Sequence, residues 1–119
     1  GNKLHACAIL KLCGESGTAG CEPDQLSHAI DYVKCLVKTK NQQKASDKCA
    51  RAQGMDPNSI MDCAFDDKGD TLHKIYGQRT LSFKPELRYV PSVAINGKLN
   101  TDAETDLMGE ICKLRPKLC

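Results

Sequence analysis

Eight cysteines supply most of the reactive chemistry available to this chain of 119 residues. A thiol that exchanges with disulfides needs a depressed pKa and a second cysteine near enough to resolve the mixed disulfide, so reactive pairs recur as Cys-x-x-Cys at helix N-termini. No Cys-x-x-Cys occurs here. The nearest neighbours in sequence are Cys7/Cys13, Cys13/Cys21 and Cys112/Cys119, and none has the short spacing of zinc ribbons or fingers. An even count at wide, irregular intervals reads instead as a disulfide framework formed in an oxidising compartment. No catalytic residue, metal or cofactor is therefore expected. His5, His28 and His73 stand singly on predicted helices. His28 and Cys35 share a helical face, but a surface histidine explains that spacing more simply than a Cys-His catalytic pair.

The second feature with chemical potential is "RYVPSVAINGKLN", residues 88–100. It reads as strand, proline, more strand, a tight turn and a return strand. Asn96 and Gly97 form the dipeptide that most favours a two-residue hairpin turn. Val90, Pro91 and Ser92 sit where the strand is interrupted, and the simplest role for such a proline is to block aggregation at a sheet edge. A lone two-stranded hairpin is marginally stable in water, so at least one strand edge should seek a partner.

The elements that must position these residues are mostly helical. "NKLHACAILKLC" (2–13) keeps Leu4, Cys7, Ala8 and Leu12 on one face. "GESGTAGCEP" (14–23) is a loop bracketed by Cys13 and Cys21, whose simplest linkage is to each other. In "DQLSHAIDYVKCLVKTK" (24–40), Asp24 is placed to cap the helix, and Leu26, Ile30, Val33 and Val37 form its apolar stripe. "QQKASDKCARAQG" (42–54) ends on Gly54. A Cys35–Cys49 bridge would staple these two helices into a hairpin about Asn41. "DPNSIMDCAF" (56–65) opens with Asp-Pro, and "DDKGDTLHKIYGQRT" (66–80) keeps Leu72, Ile75, Tyr76 and Arg79 on helical spacing. "LSFKPELR" reads as an irregular connector. After the hairpin, Thr101 or Asp102 can cap a last helix, "AETDLMGEICKL", with Leu107, Ile111 and Leu114 on one face and Pro116 as its stop.

Composition narrows the function classes. The chain is one domain by length, and with 4% aromatic residues and no Trp its core must lean on aliphatic side chains and covalent links. A net charge of +2 with interleaved signs gives no support to nucleic-acid binding. Apolar runs are far too short for a membrane span. "KTKNQQK" reads as a solvated hairpin end, no Asn-x-Ser/Thr acceptor occurs, and the start at Gly1 reads as a processed or excised segment.

These residues resemble a known family, the gamma-interferon-inducible lysosomal thiol reductases of the thioredoxin-like superfamily. "YVPSVAINGKL" resembles their "YVPWVxVNGxxL" segment. "NKLHACAI" resembles the second half of their signature, where Cys-x-x-Asn is followed by a short helix ending in Ala-Cys. "SIMDCAFDDKGDTLHKIYGQRT" resembles their "xIxxCxxGxxGxxLxxxxxxxT" stretch. Under this alignment Cys7, Cys35, Cys49, Cys63, Cys112 and Cys119 occupy family positions, while Cys13 and Cys21 fall in an insertion. The resemblance implies the C-terminal part only, with the Cys-x-x-Cys half upstream.

The implied fold class is mainly α with a β-hairpin, a truncated, disulfide-rich thioredoxin-like arrangement of helical insertion plus ββα half. It forms a single domain with a disulfide-stapled helical region at 1–84 and a strand-hairpin-helix half at 85–119. Cys13–Cys21 and Cys35–Cys49 are the best pairs. The remaining Cys7, Cys63, Cys112 and Cys119 allow three pairings, with Cys7–Cys63 and Cys112–Cys119 favoured. The resemblance also implies a cis Pro91 that turns the backbone of Val90 outward to a substrate or partner strand. Ser92 stands where the family has Trp, which removes apolar surface beside that groove.

The functional expectation is a non-catalytic, secreted or lysosomal, disulfide-stabilised binding or assembly protein. Its alternative is the C-terminal chain of a two-chain thiol reductase whose Cys-x-x-Cys lies on a separate upstream chain. Either way the partner is a protein, a second chain or another copy in a homo-oligomer, at the strand edge of residues 90–95.

Overall fold

Six α-helices and one short β-hairpin make up the protein in a computed structural model, which describes residues 1–119. They fall into two compact units, Gly1–Gly77 and Gln78–Cys119. The fold is mainly helical, with a single two-stranded sheet and four disulfides.

The first unit is built from α1 (Asn2–Cys13), α2 (Pro23–Val37), α3 (Gln42–Ala52), α4 (Pro57–Phe65) and α5 (Asp67–Ser82), the last of which runs on past Gly77. Helix α1 packs against both α2 and α4, and α3 packs against both of those as well. Leu4, Cys7 and Ala8 recur at three- and four-residue steps, so one face of α1 enters the core, where all three are buried. Ile60 and Ala64 of α4 and Leu72 of α5 are buried in the same cluster. Each fully buried Leu or Ile contributes about 1.5–3 kcal/mol of transfer free energy, so a core this poor in aromatics depends on close packing and cross-links.

Local chemistry sets the helix ends. Asn41 accepts a hydrogen bond from the Lys44 N–H at 3.0 Å, and Asp56 accepts from the N–H groups of Asn58 and Ser59 at 3.2 Å each. Gly54, at φ +68°, supplies the left-handed residue after α3. Asp24 does not cap α2. Pro23, with its fixed φ and no N–H, is itself the first helical residue, so Glu22 takes the cap position and Asp24 lies inside the first turn.

The buried face of α2 also differs from the sequence expectation. Ala29, Tyr32 and Leu36 enter the core, whereas Ile30 and Val37 are 45% and 58% exposed. Tyr32 selects this face: its hydroxyl and the Ser46 hydroxyl of α3 are 2.8 Å apart and both side chains are buried. Helix α2 also ends at Val37, three residues short of the expected end.

At the start of α5, Asp66 accepts a hydrogen bond from the Asp67 N–H at 2.8 Å. Gly69 fits where no side chain can, since a Cβ there would lie 2.5 Å from the Cys63 carbonyl oxygen and 2.6 Å from that of Ala64. Helix α5 takes in Leu81 and Ser82, so the irregular connector is shorter than "LSFKPELR".

The second unit holds β1 (Ala94–Ile95), β2 (Lys98–Leu99), a 3-10 turn (Asp102–Glu104), α6 (Leu107–Leu114) and a final 3-10 turn (Pro116–Leu118). The strands are antiparallel, with Ala94 opposite Leu99 and Ile95 opposite Lys98. Asn96 at φ +52° and Gly97 at φ +78° form the two-residue turn, both in the left-handed region that type I′ requires. The strand expected through Tyr89 and Val90 is not regular; only Ala94 and Ile95 form it. The expected last helix is broken in two. Asp106 turns its side chain onto the Gly109 N–H at 2.9 Å and so starts α6 four residues late, because a carboxylate satisfying a free helix donor favours a cap over a helix interior. Arg115, preceding Pro116, lies outside α6.

Candidate functional site

The structure closes four disulfides: Cys7–Cys63, Cys13–Cys21, Cys35–Cys49 and Cys112–Cys119. No cysteine is free. Cys7 and Cys49 are buried, so their bridges join α1 to α4 and α2 to α3 within the core. Cys13–Cys21 closes the loop after α1, and Cys112–Cys119 ties α6 to the C-terminal turn. The cysteines therefore act here as cross-links, and thiolate chemistry requires a bridge to be opened first.

Two of the three histidines bond to glutamines. His5 shares a hydrogen bond with Gln42 Oε1 at 3.0 Å, and His28 Nδ1 with Gln53 Oε1 at 2.9 Å. Burial holds the His5 imidazole below its usual pKa, against the opposing effect of the Gln42 bond. His28 and Cys35 thus go to separate partners, Gln53 and Cys49. No cluster of three His, Cys, Asp or Glu side chains is placed to hold a metal ion. No helix is long and apolar enough to cross a membrane.

The loop at Val90, Pro91 and Ser92 is the best-defined candidate for binding. The Val90–Pro91 peptide is cis, as is Lys84–Pro85. Val90 is 91% exposed and Pro91 is also exposed, so the loop presents an apolar surface to solvent. Three contacts hold it. Tyr89 donates its hydroxyl proton to Glu104 Oε1 at 2.9 Å, Ser92 Oγ donates to the Tyr89 carbonyl, and the Val93 carbonyl accepts from the Asn100 N–H at 2.9 Å. The Glu104 bond stabilises the protonated phenol and raises the Tyr89 pKa.

Asn100 clamps the other end of the hairpin. Its side chain accepts from the Ala103 N–H and donates to Glu110 Oε2, each at 2.9 Å. Lys113, and then Asn100, favour the ionised Glu110 and lower its pKa. The segment's sequence pointed to the loop and turn but not to Glu104, Asn100 or Glu110. Glu104 lies 15 residues from Tyr89, and no periodic signal links the two. The loop is therefore positioned by polar tethers, since only Ala103 is buried in this unit. Strand β1 pairs with β2 on one side alone, and neither the N–H nor the C=O of Val90 has a hydrogen-bond partner. Together these features leave an unpaired strand edge beside a small exposed apolar loop.

No family model matches the chain, and no solved structure matches it. Curated proteins do. The chain is 33% identical over 123 residues to a gamma-interferon-inducible lysosomal thiol reductase-like protein of Anopheles gambiae, an alignment covering 100% of this chain and 49% of that protein. It is 30% identical over 132 residues to GILT-like protein 1 of Drosophila melanogaster, covering 100% of this chain and 52% of the relative. A gamma-interferon-inducible lysosomal thiol reductase of Mus musculus is 27% identical over 125 residues, with 99% of this chain and 45% of that protein covered. The chain spans about half the length of the curated relatives it matches. Whole-chain similarity to several such proteins establishes that this chain belongs to the gamma-interferon-inducible lysosomal thiol reductase family.

Proposed function

We propose that these 119 residues form a disulfide-locked binding module of the thiol reductase family, acting in the secretory or lysosomal compartment with no reductase turnover of their own. The module recognises an extended polypeptide through Val90, Pro91 and Ser92 and the open edge of β1. One observation carries this reading: all eight cysteines are paired, while Val90 is 91% exposed on a tethered loop beside an unpaired strand edge. Backbone pairing would supply affinity, and the apolar patch would supply side-chain preference. Four disulfides suit an oxidising compartment.

A second reading takes the bound polypeptide to be a segment carrying Cys-x-x-Cys, which would complete a reductase. The second unit favours it. That unit buries Ala103 alone and leaves Tyr89, Val90, Leu107, Met108, Leu114 and Leu118 exposed, apolar side chains that a larger partner segment would cover.

Amide chemical-shift mapping tests the first reading with a reduced, carboxymethylated polypeptide as ligand. Shifts should concentrate in residues 88–100, Val90→Glu should abolish them, and the chain alone should not reduce insulin. Turnover by the chain alone, or shifts confined to the helical unit, would overturn it. Native mass spectrometry with an added Cys-x-x-Cys polypeptide, followed by the same reduction assay, tests the second. A stable complex with turnover supports it, and a complex without turnover rejects it.

A further inference from the structure

The Cys35–Cys49 bridge forms part of the wall of an open cleft of ≈ 430 Å³ between α2 and α3, and that cleft is rimmed by cations. Lys34, Lys38 and Lys48 line it against a single acid, Asp31. Asp31 is engaged by Lys34 at 3.4 Å, and no ion pair engages Lys38 or Lys48. The two cysteines are unequally placed: Cys49 is 1% exposed, whereas Cys35 is only partly buried and is the half of the bridge nearer solvent.

We propose that Cys35 is a modification site for small anionic thiols, which the lysine rim draws to the Cys35–Cys49 disulfide. A thiol carrying a carboxylate or sulfonate enters as its thiolate and attacks Cys35 Sγ. The electron pair of the Cys35–Cys49 bond passes to Cys49 Sγ, leaving a mixed disulfide on Cys35 and a thiolate on Cys49. A second thiolate attacks the small-molecule sulfur of the mixed disulfide, frees the Cys35 thiolate and forms the small-molecule disulfide. Two small thiols are oxidised, one protein bridge is reduced, and the cysteine thiolates take protons from solvent. The ammonium groups favour this path twice, by concentrating the anion and by stabilising the thiolate that leaves.

The fold can survive the opening. Helices α2 and α3 remain joined by the buried Tyr32–Ser46 hydrogen bond and by Leu36 and Ala50 in the common core. The loop bridge Cys13–Cys21 provides an internal contrast, because Lys11 and Glu22 flank it in sequence and Glu15 is paired with Lys68 at 3.2 Å, so the charges around it balance. Charge therefore distinguishes the two bridges within one molecule.

The oxidised chain is treated at low ionic strength with mercaptoethanesulfonate or with 2-mercaptoethanol at matched thiolate concentration, then alkylated and mapped by peptide mass spectrometry. The anionic-to-neutral rate ratio at Cys35–Cys49 should exceed that at Cys13–Cys21 by about tenfold. High salt should erase the difference in the unmodified protein. The double variant Lys38→Gln/Lys48→Gln, checked for unchanged circular dichroism, should lower the ratio at Cys35–Cys49 alone. Equal ratios at the two bridges, or opening of Cys35–Cys49 only on global unfolding, would overturn the proposal.

Discussion

Replacing Tyr32 by Phe removes one oxygen atom from the middle of the helical core, and its consequence depends on what Ser46 can do next. The two hydroxyls lie 2.8 Å apart with both residues at 0% exposure, so water cannot replace either partner. A net hydrogen bond contributes about 0.5–1.5 kcal/mol, and a buried group left unpaired costs about 1–3 kcal/mol. The partners differ in their fallback. Ser46 lies inside α3, where a serine hydroxyl can turn back to the carbonyl of the preceding turn, whereas the Tyr32 hydroxyl, at the end of a long side chain from α2, bonds to Ser46 and cannot turn back to its own helix. Tyr32→Phe should therefore cost about 1 kcal/mol, and Ser46→Ala about 2–3 kcal/mol, because it strands the phenol. The double variant removes both polar groups and should cost less than the sum, with a coupling of about 1–2 kcal/mol. Urea unfolding of the four oxidised proteins, followed by circular dichroism, gives the cycle directly. Additive costs, or a larger cost for Tyr32→Phe than for Ser46→Ala, would refute the reasoning. The Tyr32 pKa provides a second check: burial raises it despite the Ser46 bond, so the unfolded chain loses this proton first and stability should fall as pH rises past the ordinary value of 10.0.

His5 should make the protein less stable in acid. Its folded pKa lies below the ordinary 6.5, so the unfolded chain binds the extra proton first, and stability present above that value is lost as pH falls through the folded pKa. His5→Gln should flatten the dependence of the urea midpoint on pH in that window, and an unchanged slope would count against burial as the cause. The bridges should rank by the loops they close. Cys7–Cys63 spans 56 residues and Cys112–Cys119 spans 7, so chain-entropy arguments give about 4 and about 2.5 kcal/mol for paired Cys→Ala replacement. Thermal unfolding of the two paired variants tests that order. Gly69→Ala should cost about 1–3 kcal/mol because its Cβ meets two backbone carbonyls, whereas Gly77→Ala, with open space at its Cβ, should be neutral or stabilising.

The sequence showed most clearly those features set within a few residues. Asp56 before Pro57, Gly54 after α3 and Asn96-Gly97 each act on neighbouring backbone groups, and the structure uses all of them. The helical order of residues 2–80 was legible for the same reason, through three- and four-residue apolar spacing. The second unit was less so. With only Ala103 buried, polar tethers such as Tyr89 to Glu104 and Asn100 to Glu110 decide its path, and their partners lie 10 to 15 residues apart. Residues 88–100 thus announced an exposed loop and a turn, but not how the loop is held or that Asp106 would start a new helix.

Helix α2 shows a different reason for error. Its sequence carries two candidate faces, one with Leu26, Ile30, Val33 and Val37 and the other with Ala29, Tyr32 and Leu36. The first is the more hydrophobic by side-chain type, so periodicity selects it. Burial follows the second, because Ala29 takes little room in the core and Tyr32 finds in Ser46 the partner that makes a buried hydroxyl tolerable. Cys35 lies beside this face and closes its bridge to Cys49, fixing the same rotation of α2 against α3. The remaining stripe is then left lining an open groove of ≈ 220 Å³ with Ile9, and Ile30 and Val37 stay exposed. A polar pair and a covalent bond between two helices can outweigh the apolar surface gained by a rotation, since burying the half-exposed Ile30 and Val37 would expose Leu36 at about 1.5–3 kcal/mol and strand a buried hydroxyl at about 1–3 kcal/mol.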